Sequence, residues 1–181
     1  MKLALALALA ARVYAQAPEQ PAPVPDVTAE VHLKAVKLVE MSGERDRFVA
    51  AIPEMVEKGK AAMQKRCPDC NPAFSTEWGK RMAARLKVDD FFNVSVRAYE
   101  KRFTSEELTE FVAVLSSQKT EKPVPATPAL QKKLLDLLPG IMGEIAGGCT
   151  EIGAKLGAEI GGEIQEEHPE WLPAKAKPDK P

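Results

Sequence analysis

The most constraining stretch of this chain is Phe103-Thr104-Ser105-Glu106-Glu107-Leu108-Thr109-Glu110-Phe111. Thr104 followed three residues later by Glu107 is a capping-box pattern, in which the hydroxyl accepts from an orphan amide of the first turn and the carboxylate reaches back to the cap amide. A helix therefore starts here. Glu106 and Glu107 place negative charge at its positive end. Beyond the cap, Leu108, Phe111, Val112 and Leu115 recur at i, i+3, i+4 and i+7, an apolar stripe with helical period. Before the cap, Phe92, Val96, Tyr99 and Phe103 form a second stripe of the same kind. Two amphipathic helices thus meet at a capped corner, and each stripe needs a partner.

The remaining periodic segments also carry the helical period, and none alternates over strand lengths. The predicted fold is all-α, a single-domain bundle of about six to seven amphipathic helices over residues 27–167. A first helix is expected from Thr28 to Met41, stopped by Gly43, and a second from Glu44 to Lys65, kinked or restarted at Pro53. The next should open at Ser75 or Thr76 and present Trp78, Met82 and Leu86, with Asp89 or Asp90 capping a further helix if the segment is broken. Leu130, Leu134, Leu137, Leu138, Ile141 and Ile145 form a strong stripe interrupted by Pro139-Gly140, where a kink is expected. Ile152, Leu156, Ile160 and Ile164 follow at strict four-residue spacing. Four exceeds 3.6, so this stripe drifts around its helix. The row Gly153, Gly157, Gly161 beside it predicts close approach to a neighbour, and Glu151, Lys155 and Glu159 are placed to pair along the solvent face.

The ends differ from the middle. Met1-Lys2 and the Leu/Ala run from Leu3 to Ala11 have the charged start and short apolar core of a secretory signal over residues 1–15, too short to span a bilayer. Cleavage is expected after Ala15, with Ala15-Gln16-Ala17 as a competing site. It removes Lys2 and Arg12 and takes the net charge of -1 two units more negative. Residues 16–26, with four prolines, read as an extended tether, and 168–181 as a disordered Pro- and Lys-rich tail. No cysteine follows the apolar run to accept a lipid. The expectation is an exported protein, periplasmic or secreted, with no membrane span in the mature chain and too little basic charge for nucleic acid.

Residues 26 to about 167 resemble the exported bacterial proteins of domain-of-unknown-function family 2059. The likeness rests on the corner Phe103-Thr104-Ser105-Glu106-Glu107-Leu108 with Tyr99 upstream, and on Thr127-Pro128-Ala129-Leu130-Gln131-Lys132 leading to Leu137-Leu138-Pro139. The marked positions are therefore Tyr99, Phe103, Thr104, Glu107, Leu108, Pro128, Gln131, Lys132 and Pro139. Leu130 stands where glycine is usual, residues 116–126 look inserted, and Val114-Leu115 replaces an aromatic pair. The resemblance implies a helical fold and an exported location, and no mechanism.

The chemical candidates are Cys67, Cys70 and Cys149. Cys67-Pro68-Asp69-Cys70 is a Cys-x-x-Cys pair within a proline-bracketed turn. It has three readings. It is a structural disulfide in an oxidising compartment, closing the turn or tying it to Cys149. It is a redox pair, although no strand precedes it as thioredoxin-like chemistry wants. Or it is part of a metal site, for which only Cys149, His32 and His168 complete the ligands. No nucleophile–base constellation or phosphate-cradling loop accompanies it, and Glu106, Glu107 and Glu110 read as a helix start and its solvated face. The sequence thus indicates no catalytic residue, cofactor or metal. The function expected is a non-catalytic interaction or binding module with an unknown protein or envelope partner. The alternatives are thiol–disulfide exchange and, through the aromatics Phe91, Phe92, Tyr99, Phe103 and Phe111, carriage of hydrophobic small molecules.

Overall fold

A computed structural model describes residues 27–118 and 120–173. The expected signal and tether, over residues 1–26, and residues 174–181 lie outside the described residues. Those described form six α-helices and a 3₁₀ turn, and no strand occurs among them: α1 Ala29–Met41, α2 Glu44–Arg66, α3 Pro72–Arg85, α4 Val88–Glu100, α5 Ser105–Ser117, α6 Pro128–Glu167, and the 3₁₀ turn Pro169–Trp171. The all-helical expectation holds.

Local code accounts for most boundaries. Thr28 caps α1 by accepting from the Val31 amide. Gly43 at φ 72° occupies the left-handed conformation that stops α1 and starts α2, a place where a side chain is strained. The capping box at Thr104 is complete: its Oγ1 accepts from the Glu107 amide at 3.3 Å, and its own amide donates to Glu107 Oε2 at 2.8 Å. Thr127 caps α6, with Pro128 in the first turn.

The starts of α3 and α4 differ from expectation. α3 opens at Asn71, whose Oδ1 accepts from the Ala73 amide at 2.9 Å, ahead of Ser75 and Thr76. Asn is as good a cap as Ser, and Pro72 is preset for the first turn. Ser75 and Thr76 instead donate back to the Pro72 carbonyl. α3 and α4 are separate helices, broken by extended backbone at Leu86 and Lys87, and Asp89 and Asp90 sit inside the first turn of α4 rather than at its cap. Neither Pro53 nor Pro139 ends its helix. Both prolines are exposed. The carbonyls they leave without an intrahelical donor belong to Val49 and Leu135, both exposed residues, so neither proline opens the helix ladder inside the core.

Two apolar clusters fill the interior. The first joins Val31, Ala35, Leu38 and Val39 of α1, Phe92 and Val96 of α4, Phe103 and Leu108 at the corner, and Leu130, Ile141 and Ile145 of α6. The second joins Val56 of α2, Phe74, Trp78 and Met82 of α3, and Ile160 and Ile164 of α6. α6 runs through both. Its four-residue spacing makes this possible, because each step overshoots a full turn by about 40°, so the apolar side rotates from the first cluster to the second. The tail expected from 168 begins with order: Trp171 and Leu172 pack on the second cluster, and the Trp171 carbonyl accepts from the Asn71 amide at 2.8 Å. An aromatic and a leucine with apolar surface to bury outweigh the surrounding prolines.

Charge stitches α3 to α6. Arg81 donates to both carboxylate oxygens of Glu167, at 2.9 and 2.5 Å, and Arg85 donates to Glu163 at 2.8 Å and to Glu159. The expected pairing of Glu159 with Lys155 along α6 is therefore not made: an arginine fork on the adjoining helix takes the carboxylate instead.

Candidate functional site

The cysteine turn is built between two helix ends. Cys67 ends α2, its amide donating to the Met63 carbonyl at 3.0 Å, and Cys70 immediately precedes Asn71, the cap of α3. A disulfide joins Cys67 to Cys70 with their Cα atoms 5.3 Å apart, and Cys149 is free. The alternative that ties the turn to Cys149 is thus corrected. Cys149 lies on α6 against the first cluster, whereas the turn borders the second. Burial, with the Glu44 carboxylate second, pushes the Cys149 thiol up, which makes it a poor nucleophile.

A cleft of about 200 Å³ adjoins the disulfide, lined by Met63, Gln64, Pro68, Asn71, Pro72, Phe74 and Ser75 with the two cysteines. The negative end of α2 lies next to Cys67 and the positive end of α3 next to Cys70. The motif alone did not reveal this asymmetry, because it depends on both helix boundaries. A larger cleft of about 570 Å³ separates the ends of α3 and α4 from α6. Arg85, Lys87, Asp90, Lys155 and Glu159 share its lining with Ile152 and Leu156, so it offers an apolar tail little dry surface.

The marked positions do not converge on one cavity. Phe103 and Leu108 are fully buried, and Tyr99 packs tilted against Phe103 at 6.2 Å and edge-on to Phe111 at 6.3 Å, its phenol pushed up by burial and then by Glu44. Thr104 and Glu107 form the corner, and Glu107 also receives Lys133 of α6 at 2.6 Å, a tie that no motif announced. Pro128 begins α6, and the Gln131 side-chain Nε2 donates to the Ala126 carbonyl at 2.7 Å. Lys132 and Pro139 lie on the exposed side of α6. Neither described cleft is lined by any of these nine residues.

Lys132 and Pro139 border a surface that sequence periodicity concealed. Between Leu137 and Thr150 the one charged residue is Glu144, and it is held by Lys101 and Arg102 at 3.0 and 2.7 Å. On the opposite side of α6, Leu135 is 75% exposed, Leu138 45% and Met142 55%. Counting apolar residues finds this helix and cannot say which of them stay outside.

His32 pairs with Glu100 at 2.7 Å, and His168 stacks on Trp171 at 3.8 Å. Among the described residues no group of three or more His, Cys, Asp or Glu is placed to hold a metal ion, and no helix is long and apolar enough to cross a membrane. Comparison with protein-family models, with curated proteins and with solved structures returned no match.

Proposed function

We propose that this chain is an exported, non-catalytic interaction module of the cell envelope, related to the family it resembles and acting through the outer face of α6. The observation that carries this reading is the exposure of Leu135, Leu138 and Met142, large apolar side chains left in water on a helix with ample apolar positions already buried, and bordered at one end by Lys132 and Asp136. Such contiguous exposed patches mark interaction sites in soluble proteins. The apolar amino-terminal run and the Cys67–Cys70 disulfide support an oxidising destination. A photo-crosslinking residue at Met142 in the protein expressed in its own cells tests the reading. Adducts dependent on that position are expected, and their absence would overturn it.

A second reading, thiol–disulfide exchange, is favoured by the cleft beside the Cys67–Cys70 bridge. Attack by a substrate thiolate on this disulfide would form a mixed disulfide and release one thiolate. A second substrate thiol would then resolve it, leaving the pair reduced and the substrate oxidised. The positive end of α3 makes Cys70 the thiolate to expect on release, not Cys67. Equilibration with glutathione separates the readings: a potential below about -300 mV marks a structural bridge, and one between about -120 and -270 mV marks an exchange catalyst. The lower value is expected.

A further inference from the structure

The turn between α2 and α3 is held by more than its bridge. The Cys70 amide donates to the Cys67 carbonyl at 3.2 Å, closing a turn in which Pro68 has a preset φ. On one side the Cys67 amide is tied to the Met63 carbonyl at 3.0 Å. On the other the Asn71 amide donates to the Trp171 carbonyl at 2.8 Å, while Asn71 caps α3. The two cysteine Cα atoms, 5.3 Å apart, are therefore kept together by backbone bonds that opening the disulfide leaves in place.

A third sulfur shares the adjoining cleft. Met63 stands one helical turn before Cys67 and lines the cleft with both cysteines. Among the described residues no carboxylate and no imidazole lines it. Asn71 Oδ1 is committed to the Ala73 amide at 2.9 Å, and the Ser75 hydroxyl accepts from Gln64 and donates to the Pro72 carbonyl, each at 3.1 Å. A hard cation finds no charged oxygen there, whereas three sulfur-bearing side chains face it together.

We propose that Cys67, Cys70 and Met63 form a copper(I) site when the pair is reduced. Thiolate and thioether are the soft donors that select this ion, and a closed zinc site wants four ligands, which the cleft does not supply. A dithiol reductant opens the bridge: its own thiols become a disulfide, and its two electrons and two protons convert Cys67 and Cys70 to thiols. Copper(I) then displaces both thiol protons to solvent and is held by two thiolates and the Met63 thioether. That set carries one net negative charge, which the positive end of α3 and Lys65 and Arg66 in the last turn of α2 favour. Bridge and copper exclude one another, so oxidation of the pair releases the ion. The site is independent of the outer face of α6, and it needs no exchange with a substrate thiol.

The full chain, reduced by a dithiol and freed of it under argon, tests the proposal with copper(I) presented as its bicinchoninate complex. One copper per chain should be withdrawn from the chelator, with three sulfur neighbours by X-ray absorption, and excess zinc should not displace it. Cys67→Ser and Cys70→Ser should each abolish uptake, and Cys149→Ser should leave it unchanged. Met63→Leu should weaken binding by at least the roughly tenfold that even outer-shell losses cost metal sites, and should lower the sulfur count from three to two. The sulfur count in the parent protein reads the thioether without any substitution. No uptake by the reduced chain, a bridge that the dithiol cannot open, displacement by zinc, or only two sulfur neighbours in the parent would overturn the inference.

Discussion

The indole Nε1 of Trp78 donates to the Gly157 carbonyl at 2.9 Å, and its ring occupies the space that a Cβ at position 157 would enter, 3.0 Å away. The same ring blocks Gly59, where a Cβ would come within 2.5 Å of it. One tryptophan on α3 is thus seated between a glycine of α2 and a glycine of α6. Gly148 plays the corresponding part against Val94, at 2.7 Å. Gly153 and Gly161 have nothing within 4 Å, so close approach holds for one member of the predicted glycine row and not for the other two.

Glycine-to-alanine substitutions should therefore divide by position. Gly161→Ala should stabilise by about 0.5–1 kcal/mol, since it gains helix propensity in open space. Gly59→Ala forces Trp78 to move and should cost about 1–3 kcal/mol, the usual range for overpacking. Urea unfolding of the two variants measures both, and equal effects would contradict the seating of Trp78.

At the central corner, Thr104→Ala should lower stability by about 1 kcal/mol through loss of one cap bond. Glu107→Ala should cost more, because it removes the reciprocal cap bond and the Lys133 contact together. Glu107→Ala in a Lys133→Ala background should show a smaller effect than in the parent, the sign of a coupled pair.

Acid should loosen the contact between α3 and α6. The hydrogen bond from Arg81 holds the Glu167 and Glu77 carboxyls below their ordinary 4.5. Burial pushes Glu144 up, but the bonds from Arg102 and Lys101 outweigh it and hold that carboxyl low as well. A depressed folded value means that the unfolded chain binds protons first. The stabilisation is therefore complete above 4.5 and is lost as pH falls through the depressed values. Denaturant midpoints should be level near neutrality and fall below pH 4.5, less steeply in Arg81→Gln than in the parent. Acid insensitivity of the parent would refute the pairing.

Reducing Cys67–Cys70 should have a limited effect on stability. The bridge spans three positions of sequence, so the chain-entropy model gives it only about 2 kcal/mol, against about 4 for the long loop that a Cys149 bridge would close. Unfolding with and without reductant checks this. Peptide mapping without reduction should recover Cys67 linked to Cys70 and Cys149 as a free thiol.

Much of this architecture was legible because its causes are local. The caps at Thr28 and Thr104, the stop at Gly43 and the apolar stripes each depend on residues within a turn or two of one another. The Asn71 cap was missed because Cys-Asn-Pro reads equally well as a turn. The ordered Trp171 was missed because its partner surface lies a hundred residues earlier in the chain. The cysteine pair was legible as chemistry but not as connectivity, since three cysteines allow more than one bridge and spacing does not choose between them.

The sequence by itself determined that the described chain is helical, where α1, α2 and α5 begin, and that the apolar side of α6 must wind around its axis, because hydrogen-bond capping and side-chain periodicity act over a few residues. Only the tertiary structure decided that Glu159 turns to Arg85 rather than Lys155, that Gly157 and not Gly161 receives a tryptophan, and that Leu135, Leu138 and Met142 remain outside. Those outcomes depend on which helices are neighbours and at what rotation, a choice made by packing residues distant along the chain into the same space.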